Sequence, residues 1–188
     1  MTGHAQRVFE HRRIWLLTEE AFAGAAELIA EAGAAHRPQA VMGIARGGTR
    51  LAEAVATHLS VPAAVIRARH NVGDDPRVAA TGRVRIEPPT AGPLARLGRG
   101  RRLLLVDDIS GSGATLRAVI AWLTRQSAPA ALRTAVLCRN QGSAFTPDAW
   151  GWEVADWVSF PWEPPPPCPA EALPPLTGLC HPDTARRG

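Results

Sequence analysis

The stretch Arg101–Ile120, RRLLLVDDISGSGATLRAVI, joins four apolar residues to two adjacent carboxylates, then to a run of small and polar residues, then to a second apolar pattern. Leu103–Val106 has the length and composition of a buried strand. Leu116, Val119, Ile120 and Leu123 recur at i, i+3, i+4 and i+7, which predicts a helix beginning near Gly113. Two negative charges therefore stand at the tip of a buried strand, ahead of a glycine-rich turn. In an open parallel sheet, ligands bind beyond the carboxyl ends of the strands. A helix that follows such a turn offers unpaired amides and the positive end of its dipole. Gly111 and Gly113 let the backbone wrap an anion, and Ser110, Ser112 and Thr115 can donate hydroxyls. Asp107 and Asp108 can accept hydrogen bonds from a sugar or face a magnesium ion. A phosphate on one side and a hydroxyl-rich, cationic centre on the other describe a phosphorylated ribose.

Working outward, strands alternate with helices. Thr18 is an N-cap and Gly33 a C-cap for a helix whose Phe22, Ala25, Ala26 and Ile29 share one face. Gln39–Ile44 reads as a buried strand, Gly48–Leu59 as a second helix, and Ala63–Ala68 as another strand. A polar stretch, Asn71–Gly100, contains one further strand at Arg83–Glu87. Leu132–Cys138 is the last clear strand. The alternation predicts an α/β domain on a mostly parallel sheet. The domain is expected over residues 1–165. The proline-rich segment 166–188 is expected to be an irregular tail, with its last dozen residues loose.

Composition narrows the function. All 21 cationic side chains are arginine, so any cationic grip on a ligand comes from a guanidinium, which favours two-pronged contact with phosphate or carboxylate. The arginines are scattered and no aromatic-interleaved basic patch appears, which argues against nucleic acid as a partner. No apolar run reaches the roughly 18 residues of a membrane span. Residues 1–13 lack the apolar core of a signal peptide, so a cytoplasmic location is expected. Cys138, Cys168 and Cys180 form no C-x-x-C pair and read as thiols in a reducing compartment. Absence of lysine excludes a Walker A loop, and Leu116 stands where the dinucleotide fingerprint needs glycine.

The string D-D-I-S-G-S-G-A-T after four apolar residues resembles the phosphoribosyl pyrophosphate (PRPP) signature of the type I phosphoribosyltransferases. In element order the resemblance runs from Thr18 to Glu163. It implies a twisted, mostly parallel sheet flanked by helices, with a small hood. It also implies that Asp107 and Asp108 contact the ribose 2′ and 3′ hydroxyls. Ser110, Gly111, Ser112, Gly113, Ala114 and Thr115 would then hold the 5′-phosphate. GIARGGTRLAEAVA resembles the pyrophosphate loop of the xanthine–guanine branch, which places Ala45, Arg46, Gly47 and Gly48 against the pyrophosphate, with Arg46 supplying charge. PDAWGWEVADWVSFPWE resembles the base-binding segment of the same branch. By that resemblance Trp157 stacks on the base, the Val158 backbone bonds its edge, and Glu163 joins Asp107 and Asp108 as a magnesium ligand. Arg139 falls where a lysine meets the purine's exocyclic oxygen. Asn71–Gly100 falls where the family has its mobile catalytic loop, with Arg77, Arg83 and Arg85 as candidate contacts.

One departure stands out. Guanine-type members carry an aspartate three residues after the second acid, facing the purine N7, where it can act as general base. Here that position is Gly111. The implied activity is magnesium-dependent transfer of the phosphoribosyl group to a heterocyclic base, purine or purine-like, by a homodimer. The alternative is a regulatory protein that senses PRPP or nucleotides in the same pocket.

Overall fold

A computed structural model describes residues 7–69, 84–87 and 99–182. In chain order the elements are β1 (Ile14–Leu16), α1 (Glu19–Ala34), β2 (Ala40–Ala45), α2 (Gly48–Leu59), β3 (Ala63–Arg69), β4 (Arg85–Glu87) and β5 (Arg102–Ser110). There follow α3 (Ala114–Ser127), β6 (Ala131–Asn140), β7 (Ala149–Val154), β8 (Trp157–Ser159) and β9 (Glu171–Ala172). Arg77 and Arg83 lie outside the described residues, as does most of Asn71–Gly100.

The main sheet has the order β4-β3-β2-β5-β6-β7, with only β4 antiparallel to its neighbour. Its central strand carries the apolar run read from the sequence. Leu103–Val106 pair with Ala40–Gly43 on one side and with Leu132–Ala135 on the other. Alternate side chains then enter two separate cores. Leu104 and Val106 join Phe22, Ile29, Leu51 and Val55 from α1 and α2. Leu103 and Leu105 join Leu116, Val119 and Leu123 from α3. A strand buried on both faces must be apolar at every position, which is why the motif begins as an unbroken run. Each such leucine contributes about 1.5–3 kcal/mol relative to exposure.

The connection from β2 leads to β3 and the one from β5 leads to β6, so the chain turns in opposite directions from two adjacent strands. The right-handed crossover rule then puts the intervening helices on opposite faces, as α2 and α3 are. Such a switch point leaves a crevice outside the carboxyl ends of the two strands.

Thr18 caps α1 as expected, its Oγ1 accepting from the Ala21 amide at 3.1 Å. Gly33 does not end that helix. It lies inside the last turn, where a Cβ would come within 2.9 Å of Leu104 Cδ2, so glycine serves close packing on β5.

The tail expectation needs a larger correction. Residues 166–182 are docked on the domain. β9 pairs with β1, which also pairs with β8, in a second, three-stranded parallel sheet. Leu173 is buried in the α1–α2 core beside Leu17, Val158 and Phe160. Trp152 Nε1 donates to the Pro174 carbonyl at 2.8 Å, and Cys180 exchanges two backbone bonds with Trp150. Proline-rich sequence is irregular in dihedral pattern, yet its leucines and carbonyls still find core partners. Leu173→Ala should therefore lower the unfolding free energy by about 2–4 kcal/mol, measured as a shift of the urea midpoint. A loose tail would leave the midpoint unchanged.

Candidate active site

The two central strands part just past Val106. The β2–β5 ladder ends at Gly43–Val106, whereas β5 stays paired with β6 through Ser110–Arg139. The sequence places Asp107 and Asp108 at a strand tip; the structure places them inside β5, at this parting. Their neighbours are the turns that start α2 and α3.

The β2–α2 turn is pressed onto the acids. A Cβ on Gly47 would overlap the Asp108 carboxylate, and one on Gly48 would lie 2.7 Å from the Val106 carbonyl. Only glycine permits this approach. Ala45 is half-buried and Arg46 is exposed beside it, with a cis peptide between them. No side chain caps the first turn of α2.

The β5–α3 turn is the other wall. Gly113 sits at φ 80°, in the left-handed region, and offers no capping side chain of its own, while Ser112 Oγ accepts from the Ala114 amide at 3.4 Å. The residues Gly111, Ser112, Ala114 and Thr115 are all partly accessible. A helix start with accessible amides is a site for an anion. Ser110 differs from the expectation of a free hydroxyl donor: it is buried, and its Oγ lies 2.8 Å from Ser143 Oγ, which binds the Phe145 carbonyl. That hydroxyl ties the β6–β7 loop to β5.

Between these walls the acids repel one another. Burial, followed by the charge of Asp108, holds the Asp107 carboxyl well above the usual range. Burial pushes Asp108 up to about 6, against the hydrogen bond from the Ile109 amide at 2.7 Å; Glu163 adds to the rise and Arg7 opposes it. Two crowded carboxylates suit hydroxyl donors or a hard cation. Magnesium fits such a pair, since it commonly takes one or two carboxylates and fills its shell with water and substrate oxygens. Glu163, expected at a second magnesium, lies within electrostatic reach of Asp108. Its Oε2 accepts from the Phe160 amide at 3.1 Å, and among the described residues no third acidic, histidine or cysteine side chain completes a metal cluster. Cys138, buried nearby, is kept as a thiol first by burial and then by Asp108. Cys168 and Cys180 are also free thiols.

Of the expected base-reading residues, Trp157 and Val158 lie on β8. Val158 is buried and registers with Trp15 of β1. Trp157 is half-buried, and its ring carries Phe9 at 6.1 Å and the Arg7 guanidinium at 5.4 Å. Arg139 is committed elsewhere, which corrects the expectation of an open base-reading cation. Its Nη1 pairs with Glu153 Oε1 at 2.8 Å, and its Nη2 donates to the Ser143 carbonyl at 3.1 Å. Arg85 lies on the edge strand β4, with no contact to the acids. Arg7 itself has no local sequence signal; it lies in an arm that only the tertiary fold brings to the site.

Fold and site thus define an α/β protein with two glycine turns closing on a carboxylate pair at a sheet switch point. Residues 16–167 match the phosphoribosyl transferase domain, and the chain belongs to that family. A stretch of 79 residues is 37% identical to the xanthine-guanine phosphoribosyltransferase of Gluconobacter oxydans (strain 621H), covering 41% of this chain and 44% of that relative. The match thus spans less than half of the relative's length. The purine phosphoribosyltransferase from Pyrococcus horikoshii Ot3 superposes with a TM-score of 0.70 at 27% identity, over 83% of this chain and 98% of that one. The Helicobacter pylori xanthine-guanine-hypoxanthine phosphoribosyltransferase shares the fold, with a TM-score of 0.64 at 24% identity over 80% and 94% of the two chains.

Two outcomes test this geometry. Gly113→Val meets both a left-handed φ and the Phe145 backbone nitrogen, which would stand 2.9 Å from the new Cβ. Calorimetric titration should show PRPP affinity reduced by roughly tenfold or more as the turn is displaced. Asp108→Asn removes a buried charge whose folded pKa of about 6 exceeds the ordinary 3.8. The parent's stability is complete below the lower value and declines as pH rises through the upper one. Metal-free Asp108→Asn should therefore be more stable than the parent by about 1–2 kcal/mol at neutral pH, with the gain vanishing in acid, as read from urea midpoints.

Proposed function

We propose that the chain transfers the 5-phosphoribosyl group of PRPP to a ring nitrogen of a purine or purine-like base and releases pyrophosphate. The observation that carries this reading is the Asp107–Asp108 pair, one buried and one half-buried, set between two helix starts at the switch point. The acids accept from the ribose 2′ and 3′ hydroxyls, which supply the donors their crowding calls for. Amides of Gly111–Thr115 receive the 5′-phosphate, with the Ser112 and Thr115 hydroxyls beside them. Arg46, exposed on the opposite turn with Ala45 and Gly47, neutralises the pyrophosphate.

Displacement at C1 passes through a state resembling an oxocarbenium ion, so no protein nucleophile is needed. The protein contributes alignment of base and sugar, exclusion of water, and fixed charge around the leaving group. Asp107 and Asp108 would hold Mg²⁺ together with oxygens of PRPP; when bound, the ion supplies charge neutralisation to the departing pyrophosphate. A homodimer acting in the cytoplasm, on small molecules and not on nucleic acid or membranes, belongs to the same reading. No described helix is long and apolar enough to cross a membrane.

A panel of purines, deazapurines and pyrimidines with PRPP and Mg²⁺, read by pyrophosphate release, tests the proposal. At least one purine should turn over. Binding of PRPP without turnover on any base would instead favour a sensor. Converting both Asp107 and Asp108 to Asn should reduce kcat/KM by roughly a hundredfold or more, because two charge-assisted hydrogen bonds of about 1.5–3 kcal/mol each are lost. Unchanged turnover in the folded double variant would remove the site assignment.

A further inference from the structure

The void left by Gly111 is filled from the N-terminal arm. A Cβ on Gly111 would lie 3.4 Å from Arg7 Cδ and 3.9 Å from Arg7 Nε. The Arg7 guanidinium stands 4.8 Å from the ring centre of Phe9 and 5.4 Å from that of Trp157, and it is within electrostatic reach of Asp108 and Glu163. The placement is built into the fold. Asn140, fully buried at the end of β6, accepts from the Val8 amide and donates to the Val8 carbonyl, both at 2.8 Å. Two residues on, the Glu10 amide donates to Ala155 at 2.8 Å. An arm fixed on both sides of Phe9 holds Arg7 in one place.

Arg7 Nε is buried and has no hydrogen-bond partner within the protein. Arg139 Nε and Trp150 Nε1 share that state, but of the three only Arg7 carries its guanidinium beside Trp157 and within electrostatic reach of Asp108. The guanidinium offers a planar fork of donors, and the N7 and O6 atoms of a 6-oxopurine offer two acceptors at matching spacing; a 6-aminopurine presents a donor in place of the second. A Cβ at position 111 would stand in ordinary van der Waals contact with the Arg7 side chain, so the arginine occupies the place beside this edge. Residue 7 also lies outside the residues 16–167 that match the family, so the device belongs to this chain's own arm.

We propose that Arg7 is the specificity-determining residue of the acceptor pocket, reading the N7–O6 edge of a 6-oxopurine with its guanidinium fork while Trp157 holds the ring. This rests on the phosphoribosyl-transfer reading for the identity of the pocket, but it is testable by binding alone. The full chain is titrated calorimetrically with inosine 5′-monophosphate and adenosine 5′-monophosphate, which differ at the 6-position and in the proton on N1 but share N7. The parent should prefer the inosine nucleotide. Arg7→Met should weaken the inosine nucleotide by about ten- to a hundredfold and the adenosine nucleotide by no more than about twofold, and Arg7→Lys, a point charge without the fork, should recover only part of the loss. The urea midpoint of each variant is measured alongside, so that a loss of fold is told apart from a loss of nucleotide binding. Equal losses for both nucleotides, no loss for either, or failure of the parent to bind either would overturn the assignment. Tighter binding of both nucleotides by Arg7→Met would also overturn it, since the arm would then be a competitor. Absence of pyrophosphate release by the parent with PRPP and every base of the panel would instead reject the transfer reading and leave the binding comparison standing.

Discussion

Two neighbouring carboxylates held out of water beside one another are the constraint around which the domain is arranged. Such a pair is unfavourable unless something else defrays the repulsion, and the fold keeps it by making β5 the central strand of the sheet. The apolar residues before the acids are locked between β2 and β6; the acids themselves are bonded on the β6 side only. Rigidity and access thus come from the same strand, one residue apart. The glycines of the β2–α2 turn then close to within van der Waals contact of the pair, so hydroxyls or a cation are drawn to a gap whose walls cannot shift to relieve the charge in their place.

Burial raises both carboxyls above their ordinary range, which sets the pair against the fold as it ionises. Stability given up at a site that must hold ligand is a common trade. The arrangement also separates two tasks. In the proposed function, sugar and phosphates fall to backbone turns and acids on the main sheet, whereas the acceptor end falls to β8 and the N-terminal arm, both peripheral to that sheet. Acceptor choice can change without disturbing the phosphate cradle.

Much of this was legible in the sequence where the signal is local. Leu103–Val106 with Asp107 and Asp108, the glycine turn, and the helix-spaced Leu116, Val119 and Leu123 follow from apolar periodicity and turn chemistry. Gly48–Leu59 is a helix with those limits. What was not legible depends on pairing across long sequence distances. β1, β8 and β9 have two or three residues each and no hairpin turn to announce them. Gly33 looks like a helix stop because its packing against Leu104 is invisible in one dimension. Arg139 reads as a free cation until Glu153 is seen opposite it in register. Ser110 reads as a phosphate donor until Ser143 meets it. Arg7 sits far along the chain from Gly111 and Trp157, and the missing side chain at Gly111 says only that space exists.

The small parallel sheet has a mechanical consequence. β1 is its middle strand, bonded to β8 on one edge and to β9 on the other. Trp157 opens β8, and Glu171 and Ala172 form β9, so the indole and the C-terminal segment hang on opposite sides of a single three-residue rail. Trimming or tethering the C-terminal segment would be transmitted through that rail to the indole. It would alter how firmly a heterocycle is gripped while leaving the grip on the sugar's phosphates, built on a different sheet, as it was.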